Sequence, residues 1–227
     1  MPAHLFREIE NLKKEILTLG AMAESAVREA VAAIDNRDEN AAQAVIANDT
    51  KLDEMEVQIE EDCLKTLALH QPVATDLRFI VAVLKINSDL ERVGDLAVNV
   101  AERAAFLATQ PPLDASFDLP AMGSKAQEML KKSLDALVRL SAQMAYEVLA
   151  ADDEVDAMNR RMYQIVQAGI VAHPDQTESL IHMLSVSRHI ERIADHATNI
   201  AEDVIYMIEG VIVRHKAEDY FRHRLGK

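Results

Sequence analysis

The sequence predicts an all-α fold: two tandem three-helix bundles made by internal duplication. Three observations point there. Aromatic residues are 4% of the chain, Trp is absent, and Gly and Pro number six each, a composition that favours helices over sheets. Apolar residues recur at alternating steps of three and four, the helical period. The stretch Glu91-Arg92-Val93-Gly94-Asp95 with Ala97, Asn99, Ala101 and Glu102 reappears as Glu191-Arg192-Ile193-Ala194-Asp195 with Ala197, Asn199, Ala201 and Glu202. Every match is displaced by 100 residues, the signature of a repeat.

The first helix is predicted over His4 to Ile34, from a seam of Leu5, Ile9, Leu12, Ile16, Leu19, Ala23, Ala26, Ala30 and Ala33. Asp35-Asn36-Arg37-Asp38 ends it, and a second helix follows from Glu39 to Leu69 with Val45, Leu52, Met55, Ile59 and Cys63 inward. Pro72 closes that helix. The third runs from Ala74 to Leu107 with Val83, Ile86, Leu90, Val93, Ala97, Val100, Ala104 and Leu107 on its seam. Leu77, Ile80, Val81 and Leu84 give its first half a second apolar side, so burial on both faces is expected. Residues 109–120 hold the densest proline cluster and read as a linker between repeats.

In the second repeat, a fourth helix is predicted over Ala121 to Leu149, with Met129, Leu137, Leu140 and Met144 inward, and a fifth over Asp153 to Val171. The sixth starts near Asp175 and carries Met183, Val186, Ile190, Ile193, Ala197, Ile200, Val204, Met207 and Val211. The expected organisation is a first repeat over 1–108, the linker, a second repeat over 121–213 and a basic tail over 214–227.

A formal net charge of −14 disfavours nucleic acid and anionic membranes as direct partners. The only cysteine, Cys63, allows no internal disulfide and no Cys-based zinc site; its place on the apolar side reads as an inert core thiol. The N-terminus lacks the apolar core of a signal peptide, and apolar runs such as Phe79 to Leu84 are too short to span a bilayer. A cytoplasmic protein is expected.

At about 100° per residue, Glu91, Asp95, Asn99 and Glu102 form a polar stripe beside the seam of the third helix. Glu191, Asp195, Asn199 and Glu202 do the same on the sixth. An antiparallel hairpin turning near residue 72 sets Asp49 opposite Asp95 and Asp53 opposite Glu91. One turning at His173-Pro174 sets Asp152 opposite Asp195 and Asp156 opposite Glu191. Each repeat is therefore expected to gather four carboxylates. Acids at i and i+4 repel, and a hard cation removes that penalty. The alternative is a solvated acidic face paired with Arg92, Arg192 and Arg78. His196 reads as a surface histidine, and His70 and His173 as helix ends. No Gly-rich phosphate loop or Ser-His-Asp order is present, so a non-enzymatic role is expected; a binuclear metal-dependent hydrolase is the competing reading.

Gln71-Pro72-Val73-Ala74-Thr75-Asp76-Leu77-Arg78, followed by Glu91-Arg92-Val93-Gly94-Asp95 and Asn99-Val100-Ala101-Glu102, resembles the PhoU family, as does Leu19-Gly20-Ala21-Met22-Ala23. The duplicated Glu191 to Asp195 matches the family's second half. The resemblance implies two three-helix bundles in a cytoplasmic homodimer. It implies a negative regulator of the phosphate-starvation response, coupling the high-affinity phosphate ABC transporter and its ATPase to a phosphate-sensing histidine kinase. It also implies Fe, Zn, Mn or Mg at the acidic motifs, here Glu91, Asp95, Asp49, Asp53 and Asn99, and Glu191, Asp195, Asp152, Asp156 and Asn199. A helical accessory protein of a low-affinity phosphate permease is the alternative within this resemblance. His173-Pro174 replaces Gln-Pro-Val-Ala in the second repeat and Arg78 has no counterpart there, so the two sites are expected to differ.

Overall fold

Apolar seams this long need partners on more than one side, and the fold supplies them by packing the two repeats on each other. The computed structural model describes residues 3–114 and 117–213. It contains α1 (Ala3–Asp35), α2 (Glu39–His70), α3 (Ala74–Thr109), α4 (Leu119–Arg139), α5 (Ala142–Ala172) and α6 (Thr177–Glu209), with one 3-10 turn at Pro174–Gln176. The predicted basic tail over 214–227 lies outside the described residues.

Helices α1–α3 form one bundle and α4–α6 the other, as the duplication predicts. The bundles share one continuous core, because α3 packs against α6 and α1 against α4. At the second contact Leu134 lies over Gly20 and Val31 over Gly123. Helices α3 and α6 are antiparallel: Lys85 meets Asp203, Asp89 meets Asn199, and Phe106 stacks on His182. The predicted seams of α1, α3 and α6 are buried, apart from Ala26, Met183 and Val211, which are partly so. The second apolar side of α3 is less covered than expected: Ile80 is buried but Leu77 is 40% exposed.

Local signals set the ends. Asp38 caps α2 by accepting from the Ala41 amide at 3.0 Å, an Asp N-cap. The chain then reverses at Gln71 and Pro72 into α3. Gly210 ends α6 in the left-handed conformation. The linker is tied at both ends. Arg37, at the α1–α2 turn, donates to the carbonyls of Leu107 and Gln110, and the Gln176 amide donates to Asp114 at 2.9 Å.

One boundary differs from the sequence-based expectation. The fourth helix stops at Arg139, not Leu149, and the fifth begins at Ala142, not Asp153. Leu140 takes the left-handed conformation at φ 49°, and Ser141 caps the next helix through the Met144 amide. Neither Gly nor Pro marks this break, so a pattern search runs through it. Leu140 is consequently 57% exposed rather than inward, and Met144 belongs to α5. Asp152 sits well inside α5, as Asp49 does in α2.

The two hairpins reach the same close packing by different residues. A Cβ at Gly94 would lie 2.8 Å from the Leu52 side chain and 3.5 Å from a carboxylate oxygen of Asp49. The equivalent positions in the second repeat hold Ala194 and Val155, both fully buried. One methyl has moved across the interface: Gly against Leu in one repeat, Ala against Val in the other. Gly94→Ala is expected to destabilise by about 1 kcal/mol despite alanine's better helix propensity. Leu52→Val should cost about 1 kcal/mol, and the double variant less than the sum by at least about 0.5 kcal/mol. Urea unfolding of the four proteins measures this; strict additivity would show that the two positions do not compensate.

Candidate functional site

The predicted carboxylates assemble on the α2–α3 and α5–α6 hairpins. Asp49 is half-buried beside Gly94. Burial, then the charges of Asp53 and Asp95, push its carboxyl above the usual range. Burial and Asp95 raise Glu91, with smaller effects from Glu56 and Asp53 opposed by Arg92. Asp49, Asp53, Glu91 and Asp95 thus feel one another across the hairpin. In the second repeat Asp152 is pushed to about 6 by burial and then by Asp195, Asp156, Asp153 and Glu191. Glu191 is raised by burial, Asp195 and Asp156. Asp195 is raised by burial and Asp156, against His196 and Arg192.

The carboxylates are neighbours without converging. Among the described residues no three His, Cys, Asp or Glu side chains are placed to hold a metal ion. Arg92 and Arg192 form no ion pair within 4 Å among the described residues; they act on the carboxylates only at longer range.

The two asparagines go different ways. Asn99 donates to the Asp95 carbonyl within its own helix at 2.8 Å. Asn199 donates to Asp89 of α3 at 3.2 Å, so it joins the contact between repeats. His196 is not a surface histidine: its side chain is 13% exposed and its Nδ1 lies 2.8 Å from the Asp89 carboxylate. The packing of α6 on α3 covers it. Cys63 fits its reading as an inert thiol, since burial pushes it up to about 12 and leaves no thiolate near neutrality.

Four buried or half-buried polar residues extend the patches. Asn87 is 1% exposed and donates to the Glu56 carbonyl at 2.9 Å and to its carboxylate at 3.1 Å. Ser187, fully buried, donates to Asn159 at 2.7 Å. Asn87 and Ser187 are equivalents, one turn before Glu91 and Glu191, and pin each hairpin beside its acids. Glu56 therefore adds a fifth carboxylate to the first patch where the second has the neutral Asn159. Asp49, Asp53 and Glu56 follow the three-four spacing, and Asn87 and Ser187 are polar interruptions of apolar seams; both signals are present in the sequence.

The PhoU domain matches this chain twice, over residues 16–104 and 119–204. The chain belongs to the PhoU family. It is 39% identical over 204 residues to a phosphate-specific transport system accessory protein PhoU homolog of Caulobacter vibrioides, covering 89% of each chain. The Aquifex aeolicus homolog is 37% identical over 212 residues, covering 93% of this chain and 96% of its own. The fold matches the crystal structure of PhoU from Pseudomonas aeruginosa with a TM-score of 0.88 at 34% identity, covering 90% of this chain and 99% of the other. The phosphate transport system regulatory protein PhoU from Streptococcus pneumoniae matches at 0.83 and 28% identity, covering 92% and 99%. Among the described residues no helix is long and apolar enough to cross a membrane.

The raised pKa of Asp152 has a signed consequence for stability. The folded state holds its proton up to about pH 6, whereas the unfolded chain releases it near 4. Stability therefore falls as pH rises between these values, and above 6 the charge penalty is fully present. The shift corresponds to a ceiling of about 3 kcal/mol, reduced by solvent screening to about 1–2 kcal/mol. Asp152→Asn is expected to raise Tm at pH 8 by about 3–6 °C, with the gain vanishing towards pH 4. A gain independent of pH in thermal melts would contradict a charge origin.

Proposed function

We propose that this chain is a negative regulator of the phosphate-starvation response. In this reading it couples the high-affinity phosphate ABC transporter, through its ATPase, to the phosphate-sensing histidine kinase and modulates phosphate uptake. It acts by protein contact, as a cytoplasmic homodimer and not as an enzyme. The observation that carries the reading is the end-to-end likeness to phosphate transport system accessory and regulatory proteins. The paired acidic patches supply its chemical element.

Metal binding at the patches belongs to the same proposal. The donor chemistry fits a hard cation: each patch offers carboxylates and no thiol. The residues that would hold it are Asp49, Asp53, Glu91 and Asp95 in the first repeat, with Asn99 beside them, and Asp152, Asp156, Glu191 and Asp195 in the second. Asn199 is engaged by Asp89 and is the weakest candidate. Asp53, Asp95 and Asp195 are exposed, so rotamer changes that bring their oxygens inward cost little. A bound cation of the Fe, Zn, Mn or Mg class would supply positive charge that cancels the mutual repulsion of these groups. Fixing Glu91 and Asp95 to α2 would stiffen the surface that α2 and α3 present to a partner.

Two measurements test this. A deletion strain should express alkaline phosphatase in high phosphate, and the intact gene should restore repression; repression without the gene would overturn the regulatory reading. Protein purified without chelator should carry metal by elemental analysis. Replacing Glu91, Asp95, Glu191 and Asp195 together by Ala should bring it to background, and unchanged content would exclude these patches.

A further inference from the structure

The duplication lets one end of the molecule be compared with the other. Helices α3 and α6 end at equivalent residues, Thr109 and Glu209. The chain leaving α3 covers the end built from the α1–α2 turn and the 3-10 turn before α6. Leu113 and Phe117 pack on the core there, and Arg37 of the turn donates to the carbonyls of Leu107 and Gln110. Gln176 holds Asp114 twice: its amide donates to the carboxylate at 2.9 Å, and its oxygen accepts from the Asp114 amide at 3.3 Å.

The opposite end has Leu140 at its turn in place of Arg37, both in the left-handed conformation. It holds a groove of about 360 Å³ whose lining includes Phe6, Ile9, Asp76, Arg78, Leu140 and Met207. Phe6 and Leu140 are more than half exposed. The chain leaving α6 starts at this groove. Met207 is part of its wall, and a Cβ at Gly210 would lie 3.6 Å from Nη1 of Arg78. Val213, the equivalent of Leu113, is buried in the core. Arg214-His215-Lys216-Ala217-Glu218-Asp219-Tyr220-Phe221 follows. A displacement of 100 sets Arg214 where Asp114 stands and Asp76 where Gln176 stands, so a carboxylate–amide pair is replaced by opposite charges. Asp76 forms no ion pair within 4 Å among the described residues. Residues 214–227 hold five Lys and Arg against two acids, in a chain of net charge −14. Tyr220 is seven residues beyond Val213, a reach of up to about 24 Å.

We propose that residues 214–221 of the same chain occupy this groove, with Arg214 paired to Asp76 and Tyr220-Phe221 laid on the apolar surface between α1 and the α4–α5 turn. Removing two aromatic rings and the exposed groove residues from water supplies the drive, and the opposite charges set the register. The segment after each repeat thus covers the turn between that molecule end's two neighbouring helices. A protein that docks on this end must displace the cover, a consequence that does not depend on the regulatory role proposed above.

The chain has no Trp, so Phe221→Trp in the full chain places a single fluorescent reporter. Acrylamide should quench it at least about threefold less than the same Trp in a free peptide of residues 214–227. Leu140→Ser, at an exposed position on the groove wall, should raise the quenching towards the peptide value. Asp76→Lys should lower the ratio of covered to open segment by about threefold, and adding Arg214→Glu should restore it, which a merely weakened α3 would not allow. The protection should be the same at all protein concentrations. Quenching equal to the free peptide, protection that Leu140→Ser leaves intact, or a charge exchange without rescue overturns the proposal. So does protection lost on dilution, which would assign the groove to this segment of a second copy.

Discussion

The antiparallel contact of α3 with α6 is the constraint on which the rest of this molecule depends. Each helix buries residues against its own bundle and against the other, the more extensive of the two contacts between repeats. That leaves one narrow polar stripe per helix, and the stripe carries Glu91 and Asp95 or Glu191 and Asp195. The carboxylates cannot retreat into the core, and α2 and α5, laid back along the same helices, add their own aspartates. The repulsion raised there is imposed by the packing. A folded chain that tolerates it has set stability aside at the places where function is proposed.

The same contact explains why the two patches differ although their sequences began as copies. Asp89 of the first repeat is used by His196 and Asn199 of the second, whereas its equivalent His189 bonds Ser185 of its own helix. Glu56 adds charge to one patch and Asn159 leaves the other lighter. Each difference lies where a hairpin or the neighbouring repeat contributes a residue. The Glu-Arg-x-x-Asp core of the motif is unchanged.

Most of the fold is legible in the sequence because its signals are local and redundant. The seams repeat every three or four residues over some nine turns, and both hairpin turns are marked by proline. The facing of Asp49 with Asp95 and of Asp152 with Asp195 follows from those turns alone. The α4–α5 break was not legible, since Leu140 adopts a left-handed conformation that its side chain disfavours and only Ser141 signals a new start. The burial of His196 and the diversion of Asn199 depend on how one repeat docks on the other. Glu56 and Asn87 were legible in principle, and a reading keyed to i, i+4 acid pairs passes over them.

The uninterrupted run of α3 and α6 through their patches also governs how this chain can change length. Losing one residue between Glu91 and Asp95 would turn everything beyond it by about 100°. Asp95 would swing off the stripe, and Val100, Ala104 and Leu107 would leave the core together. Compensation inside the same helix would require a second change within a turn. The connection at residues 110–118 carries no such helical phase; Arg37 holds its start and Gln176 holds Asp114. Insertions are therefore confined by geometry to the joints between helices, while the helices that carry the acids are locked in length by the angle at which they present them.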